Sequence, residues 1–248
     1  MRIIGIIPAR LESSRFPGKP LAKILGIPMI GHVYSRCKMS KILDEVYVAT
    51  CNIEIFNYIE SIGGKAIMTS NAHERASDRT AEALLKIEVE KKYKLDIIVM
   101  LQGDEPMVVS EMIESAVKPL VKDENILVSN LMSKIKNKIE WEDPNEVKLV
   151  KDLENNAIYF SREPIPSNKK YSDDFSIYKQ VCVIPFRREA LIKYTKLEPT
   201  PLEVIESVDM NRFLEHGYKV KLVETNYETL AVDTLEDLKK VEKYYNFF

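Results

Sequence analysis

The chain has 248 residues, 45% hydrophobic and 30% charged, enough to bury a full core in one large α/β domain or two small ones. Its 36 Lys and Arg against 38 Asp and Glu leave a net charge of −2, so no global field draws it to nucleic acid or an anionic membrane, and any anion site must be local. No apolar stretch approaches the length of a membrane span, and Cys37, Cys51 and Cys182 form no Cys-x-x-Cys pair, which together predict a soluble cytoplasmic protein with buried, reduced thiols.

Short apolar runs at residues 3–7, 46–49, 66–68 and 97–101 alternate with helical patterns at roughly 28–39, 53–62, 77–92 and 110–122. Strands that are apolar on both faces and separated by helices predict a mostly parallel sheet flanked by helices, an α/β core. Ser77 is expected to cap the third helix, with Asp78 in its first turn opposing the helix dipole and Arg79 projecting from its start. From about residue 126 the rhythm changes, and "ILVSNLM", "EVKLVKD", "AIYFS" and "YKQVCVIPF" read as strands without regular helices between them. Residues 135–185 are therefore expected as an antiparallel excursion on a single domain spanning 1–248, with "DLENN" as a hairpin turn. "PLEVIESVDMNRFLEHG" reads as one helix stopped by Gly217, and Thr234 as the cap of a last amphipathic helix with Asp233 just outside it.

Two segments carry chemistry. "ARLESSRFPGKP" leaves the first strand where ligands sit in open α/β sheets, beyond the carboxyl ends of the strands. Arg forks and a lysine charge suit phosphate oxygens, and Gly18 permits a close turn, yet no Walker loop is present. "LQGDEP" places Asp104 at the end of another apolar strand, where a carboxylate suits Mg²⁺, which takes one or two carboxylates together with phosphate oxygens and water. Asp233, also at a strand end, can supply a second carboxylate.

The segments "IIPARLESSRFPGKPL", "GGKAIMTSNAHERASDR", "LQGDEPM", "IYFSREPIP" and "VDTLEDL" resemble, in order and spacing, the motifs of the 3-deoxy-manno-octulosonate (KDO) cytidylyltransferases, and the likeness runs over nearly the whole chain. The resemblance implies a GT-A-like fold, CTP as substrate, Mg²⁺ as cofactor and a homodimer. It implies that Arg10, Ser13, Arg15 and Lys19 serve the triphosphate, with Lys19 also catalytic. Asp104 and Asp233 match the catalytic metal ligands, Gln102 a residue near both nucleotide and sugar, Arg162 an acceptor-site arginine, and Arg79 a nucleotide-side arginine.

The match departs from the family pattern at named places. Arg75-Ala76 replace a Ser-Gly pair beside the base, which leaves phosphate binding better supported than base recognition. At the acceptor positions Gln180 replaces a histidine, Ile184 a tyrosine, Cys182 a glycine, and Asp209-Met210 a Glu-Gln pair. A site that loses polar partners loses discrimination between hydroxylated ligands, so an acceptor other than KDO itself is expected, with simple repacking as the alternative. The presence of Arg162 implies an acceptor that still carries a carboxylate or another anion. The other readings of the same residues are a nucleotide-sugar-dependent glycosyltransferase and a catalytically silent CTP-binding protein. His32 and His216 are expected as surface or packing residues, His73 in a structural role within the nucleotide-side loop, and Trp141 packed in the excursion or at a dimer interface.

Overall fold

Seven consecutive buried residues form β1 (Ile3–Ala9), the strand around which the first part of the chain is organised. In this computed structural model, which describes residues 1–12, 16–167, 176–227 and 230–245, the chain divides into two units, Met1–Glu114 with Glu228–Phe248, and Ser115–Tyr227. After β1 come a 3-10 turn at Lys19–Leu21, a small ribbon of β2 (Lys23–Ile24) and β3 (Ile27–Pro28), and α1 (Met29–Lys38). The chain continues through β4 (Glu45–Thr50), α2 (Ile53–Ser61), β5 (Ala66–Met68), α3 (Ala76–Lys91), β6 (Ile97–Leu101) and α4 (Ser110–Lys122). In the first unit β1 pairs in parallel with β4 and β6, and β4 with β5, in the order β6-β1-β4-β5.

The helices follow from their spacing. α1 buries Met29, Ile30, Val33, Tyr34 and Cys37, and α3 buries Ala83, Leu84 and Ile87, stripes at helical period. Ser77 is not the cap of α3. The helix begins one residue earlier, after the extended Arg75, and the fully buried Ser77 hydroxyl points to the Met100 sulfur at 3.9 Å. Of the three cysteines only Cys37 is buried; Cys51 and Cys182 are half-buried.

The second unit contains β7 (Ser129–Lys134), α5 (Lys138–Glu142), β8 (Lys148–Lys151), β9 (Ala157–Ser161), β10 (Tyr178–Val181), β11 (Val183–Arg187), α6 (Arg188–Tyr194), α7 (Pro201–Glu206), α8 (Asp209–Glu215) and β12 (Lys221–Glu224). Its sheet runs β12-β7-β10-β8-β9. Strands β7–β10, β10–β8 and β8–β9 pair antiparallel, so the expected excursion at 135–185 lies within this unit, while β12 joins β7 in parallel. The turn between β8 and β9 is held by the Asp152 carboxylate, which accepts from the backbone of Glu154 at 2.9 Å and Asn156 at 2.7 Å. Trp141 is buried in α5 and donates to the Ile165 carbonyl at 3.1 Å.

Two elements differ from the sequence expectation. "YKQVCVIPF" forms two strands separated at Cys182, because Gln180 and Val181 stay on β7 while Phe186 bridges to Val128. The single helix expected over 201–216 is broken, because Ser207 takes left-handed backbone (φ 53°) and ends α7. The apolar count misled there: Val204 and Ile205 are exposed, whereas Val208, Met210 and Phe213 are buried. A bidentate pair of Arg212 with Glu203, both bonds 2.6 Å, ties α8 back to α7 inside the core. The final helix, α9 (Leu235–Tyr245), returns to the first unit.

At the rim of the first sheet the Glu45 carboxylate accepts from Lys65 at 2.6 Å, Lys91 at 2.7 Å and the Tyr47 hydroxyl. Burial alone would raise its pKa, but these three donors outweigh it and hold Glu45 at about 2. A carboxylate depressed in the fold stabilises it above the ordinary value, and that contribution is lost as pH falls from about 4.5 towards 2. Glu45→Gln is expected to cost about 1 kcal/mol at pH 7, after screening at the rim, and the cost should vanish near pH 2 in urea unfolding curves.

Candidate active site

The basic loop ends on a backbone device. Gly18 has left-handed backbone (φ 73°), and its N–H donates to the Leu11 carbonyl at 3.0 Å, which draws the ends of the loop together. The following 3-10 turn, opened by Lys19 and the buried Pro20, aims the Lys19 side chain inward. Beyond β6, Gly103 sits so close to β1 that a Cβ there would lie 3.2 Å from Ile30 Cδ1 and 3.4 Å from the Pro8 carbonyl. The missing side chain lets the turn that carries Asp104 press against the end of the central strand.

Asp233 arrives from the far end of the chain. The Val232 N–H donates to the Asp104 carbonyl at 2.9 Å, fastening one aspartate's loop to the other's. Thr234 caps α9 as expected: its hydroxyl and N–H donate to the Asp237 carboxylate at 2.8 and 3.0 Å, and the Asp237 N–H returns to the hydroxyl at 3.2 Å. The helix packs Val241, Leu238 and Tyr244 into a cluster with Ile24, Met29, Met107 and Val232. The Tyr245 hydroxyl donates to the Pro106 carbonyl at 2.5 Å and accepts from Arg36 Nε at 2.8 Å. His32 completes this packing, with its ring edge-on to Tyr245 at 5.1 Å.

The result is a triad of charges. Lys19 Nζ lies 2.7 Å from Asp104 and 3.1 Å from Asp233, with side chains 12%, 26% and 15% exposed. Burial, the largest influence on Lys19, would lower its pKa, but the charges and hydrogen bonds of the two carboxylates overcome it and raise the ammonium above its ordinary value. No cluster of three or more His, Cys, Asp or Glu suited to a metal occurs among the described residues. Asp104 and Asp233 are two hard oxygen donors already converging on one cation, which fits Mg²⁺, an ion that completes its shell with phosphate oxygens and water.

The nucleotide-side residues divide. Arg10 is exposed, and its Nη1 reaches the His73 carbonyl at 3.4 Å. Arg79 does not project from the helix start: it is 3% exposed and donates to Thr69 Oγ1 at 2.6 Å, the Ser70 carbonyl at 3.1 Å and the His73 carbonyl at 3.3 Å. Its burial comes from that loop folding over the start of α3, so its contacts serve the loop. His73 Nε2 in turn lies 2.5 Å from Glu82, which also accepts from the Ser70 N–H. Gln102 is half-buried, and its side-chain amide makes no hydrogen bond among the described residues. Ser13 and Arg15 lie outside the described residues. Asn52 escaped the sequence reading: its side chain accepts from the Leu11 N–H at 3.0 Å and steadies the loop, while its position before α2 reads only as a helix cap.

Of the residues expected at the acceptor, Gln102 belongs to the first unit, and Arg162, Gln180, Ile184 and Asp209 to the second. Arg162 Nε donates to the Glu206 carbonyl at 2.8 Å and Nη1 to the Pro144 carbonyl at 2.9 Å. Gln180 donates to Asn130 Oδ1 at 2.6 Å, Ile184 is 2% exposed, and Asp209 opens α8, where its charge complements the helix dipole. His216 is exposed, and its Nε2 lies 3.0 Å from the Glu198 carbonyl, a surface position.

Cations and carboxylates gathered beyond the carboxyl ends of β1 and β6 define a nucleotide-handling transferase on a GT-A-like α/β fold. A family model described as cytidylyltransferase matches residues 4–226. A 3-deoxy-manno-octulosonate cytidylyltransferase of Geobacter metallireducens is 41% identical, covering 97% of this chain and 96% of its own. One of the same name from Thermodesulfovibrio yellowstonii is 42% identical over 100% of both chains. The structure of CMP:2-keto-3-deoxy-manno-octonic acid synthetase complexed with CTP superposes with a TM-score of 0.89, at 35% identity, over 100% of this chain and 99% of that one. The chain belongs to the cytidylyltransferase family and, within it, to the 3-deoxy-manno-octulosonate cytidylyltransferases.

Gly18→Ala introduces a Cβ where the backbone is left-handed, at an expected cost of about 1 kcal/mol in denaturant unfolding. Because Lys19 follows directly, the same variant should lose activity out of proportion to its stability when both are measured at a temperature well below its unfolding midpoint.

Proposed function

We propose that this chain transfers CMP from CTP to 3-deoxy-manno-octulosonate, or a close 2-ulosonic acid relative, and releases pyrophosphate. The observation that carries the reading is the convergence of Lys19, Asp104 and Asp233 at the strand ends, in a chain whose full-length relatives bear that name. The expectation of an acceptor other than KDO gives way on two grounds. Relatives 41–42% identical carry the KDO name, and Gln180 is bonded to Asn130 while Ile184 is buried, as the repacking alternative allows.

An acceptor oxygen attacks the α-phosphorus, and the bond to the pyrophosphate oxygen breaks with its electron pair. Little covalent chemistry falls to the protein, so its contribution is alignment and neutralisation of charge. Lys19 stays cationic because two carboxylates hold its proton, and its ammonium is available to the departing pyrophosphate. Arg10, exposed at the end of β1, adds a forked donor for phosphate oxygens. Arg79 keeps the 69–73 loop shaped beside them, and the Gln102 amide has its donors and acceptor open for a ligand. Arg162 is assigned the carboxylate of the acceptor. Asp104 and Asp233 would hold Mg²⁺, which when bound supplies a Lewis acid for the phosphate and lowers the pKa of the attacking oxygen. A cytoplasmic homodimer belongs to this reading through the family resemblance; no helix among the described residues is long and apolar enough to cross a membrane.

Pyrophosphate release should be fastest with CTP among the four nucleoside triphosphates and should require KDO or a close relative. No release with any 2-ulosonic acid would overturn the reading. Asp104→Ala and Asp233→Ala are each expected to lower turnover by about 10³-fold or more with the fold intact by circular dichroism. Removing divalent cations with a chelator should abolish release, and added Mg²⁺ should restore it.

A further inference from the structure

The second unit buries a lysine that the proposed chemistry does not use. Lys148, the first residue of β8, is 0% exposed and makes no ion pair among the described residues. Its ammonium donates instead to three main-chain carbonyls: Asp143 at 2.8 Å, Glu146 at 2.7 Å and Arg162. All three N–H donors of the ammonium are thereby engaged by neutral oxygens. Burial lowers its affinity for the proton, the expected direction for a cation taken out of water, although Asp143, Glu146 and Glu163 oppose the shift. An apolar residue would cover the strand end at smaller cost, so the arrangement calls for another role.

The three carbonyls identify that role. Asp143 and Glu146 flank Pro144, and the Pro144 carbonyl is the acceptor for Arg162 Nη1. The third carbonyl belongs to Arg162 itself. Lys148 therefore holds both the backbone that bears the guanidinium and the loop that aims it. Other bonds fix the same frame: the Gln180 N–H donates to the Val147 carbonyl at 2.8 Å, and Lys179 pairs with Glu140 at 2.6 Å and Glu146 at 3.0 Å. On the far side, the Glu206 carboxylate accepts from the Arg162 N–H at 2.7 Å, the Ser161 hydroxyl at 2.8 Å and the Tyr159 hydroxyl at 2.5 Å.

We infer that Lys148 is a positioning residue for acceptor recognition, acting through Arg162 by clamping the 143–146 loop to the end of β9. The inference rests on the proposed function, in which Arg162 takes the acceptor's carboxylate. A guanidinium held by two carbonyls presents its remaining edge in one orientation, and a misplacement of about 1 Å costs a charged recognition contact much of its strength.

The test is steady-state kinetics of Lys148→Met, which keeps most of the unbranched apolar stem and removes its donors. The KM for KDO should rise about tenfold or more while the KM for CTP stays within about twofold, a split that general destabilisation does not produce. In an Arg162→Ala background, Lys148→Met should add no more than about a further twofold to the acceptor KM, because both changes remove one contact. An unmoved acceptor KM in active Lys148→Met, or full additivity in the double variant, overturns the inference. Wild-type protein that turns over CTP with no 2-ulosonic acid overturns the functional reading instead. Should Lys148→Met fail to fold, Pro144→Gly leaves every bond of Lys148 in place and loosens the carbonyl that Arg162 uses; it should show the same split, and an unchanged acceptor KM there overturns the inference.

Discussion

One ammonium between two carboxylates governs the first unit. Lys19 lies within 3.1 Å of both Asp104 and Asp233, and each of the three is only partly open to solvent. Two carboxylates brought this near each other repel strongly in a medium less polar than water, and a cation between them turns that repulsion into attraction. Every nearby device serves to make the meeting possible. Gly18 turns the chain into the lysine, Gly103 seats the turn of Asp104 against β1, and the Val232 N–H joins the two acidic loops. In the proposed reaction the same charges meet a metal and a triphosphate, so the arrangement that stabilises the free protein is also one that substrate can take over.

The second unit satisfies its buried charges in several ways, of which a lysine between two carboxylates, Lys179, is only one. Arg212 is matched bidentate by Glu203, and Glu206 is satisfied by two hydroxyls and one N–H. Lys148 is satisfied by carbonyls alone. Such fully engaged groups favour a single arrangement, since any other leaves a costly unpaired charge. A rigid frame of this kind would suit the proposed recognition of the acceptor's carboxylate by Arg162.

Much of this could be read from residue order. The parallel core was legible because β1, β4 and β6 are apolar on both faces, and the helices between them because their apolar residues recur at helical spacing. The Thr234 cap was legible from residue type, and the two aspartates from their place at strand ends. What failed did so for local reasons. Val204 and Ile205 fit a helical stripe yet lie exposed, and Ser207 breaks the helix through its backbone, which no side-chain pattern records. Ser77 has the chemistry of a cap but lies two residues beyond the actual cap, Arg75. Arg79 was read as a ligand-facing cation because residue type does not reveal that a loop closes over it. Lys148 was invisible for the same reason: a lysine in a strand reads as surface until the carbonyls around it are known.

The partners of Lys19 differ greatly in how far away they lie along the chain, 85 residues for Asp104 and 214 for Asp233. The whole of Ser115–Tyr227 is threaded between the two acidic residues. Contacts of such separation close late, because the entropy of the intervening loop must be overcome first. On the ribosome, a nascent chain holding Lys19 and Asp104 lacks the second carboxylate of the triad until the other unit has been made.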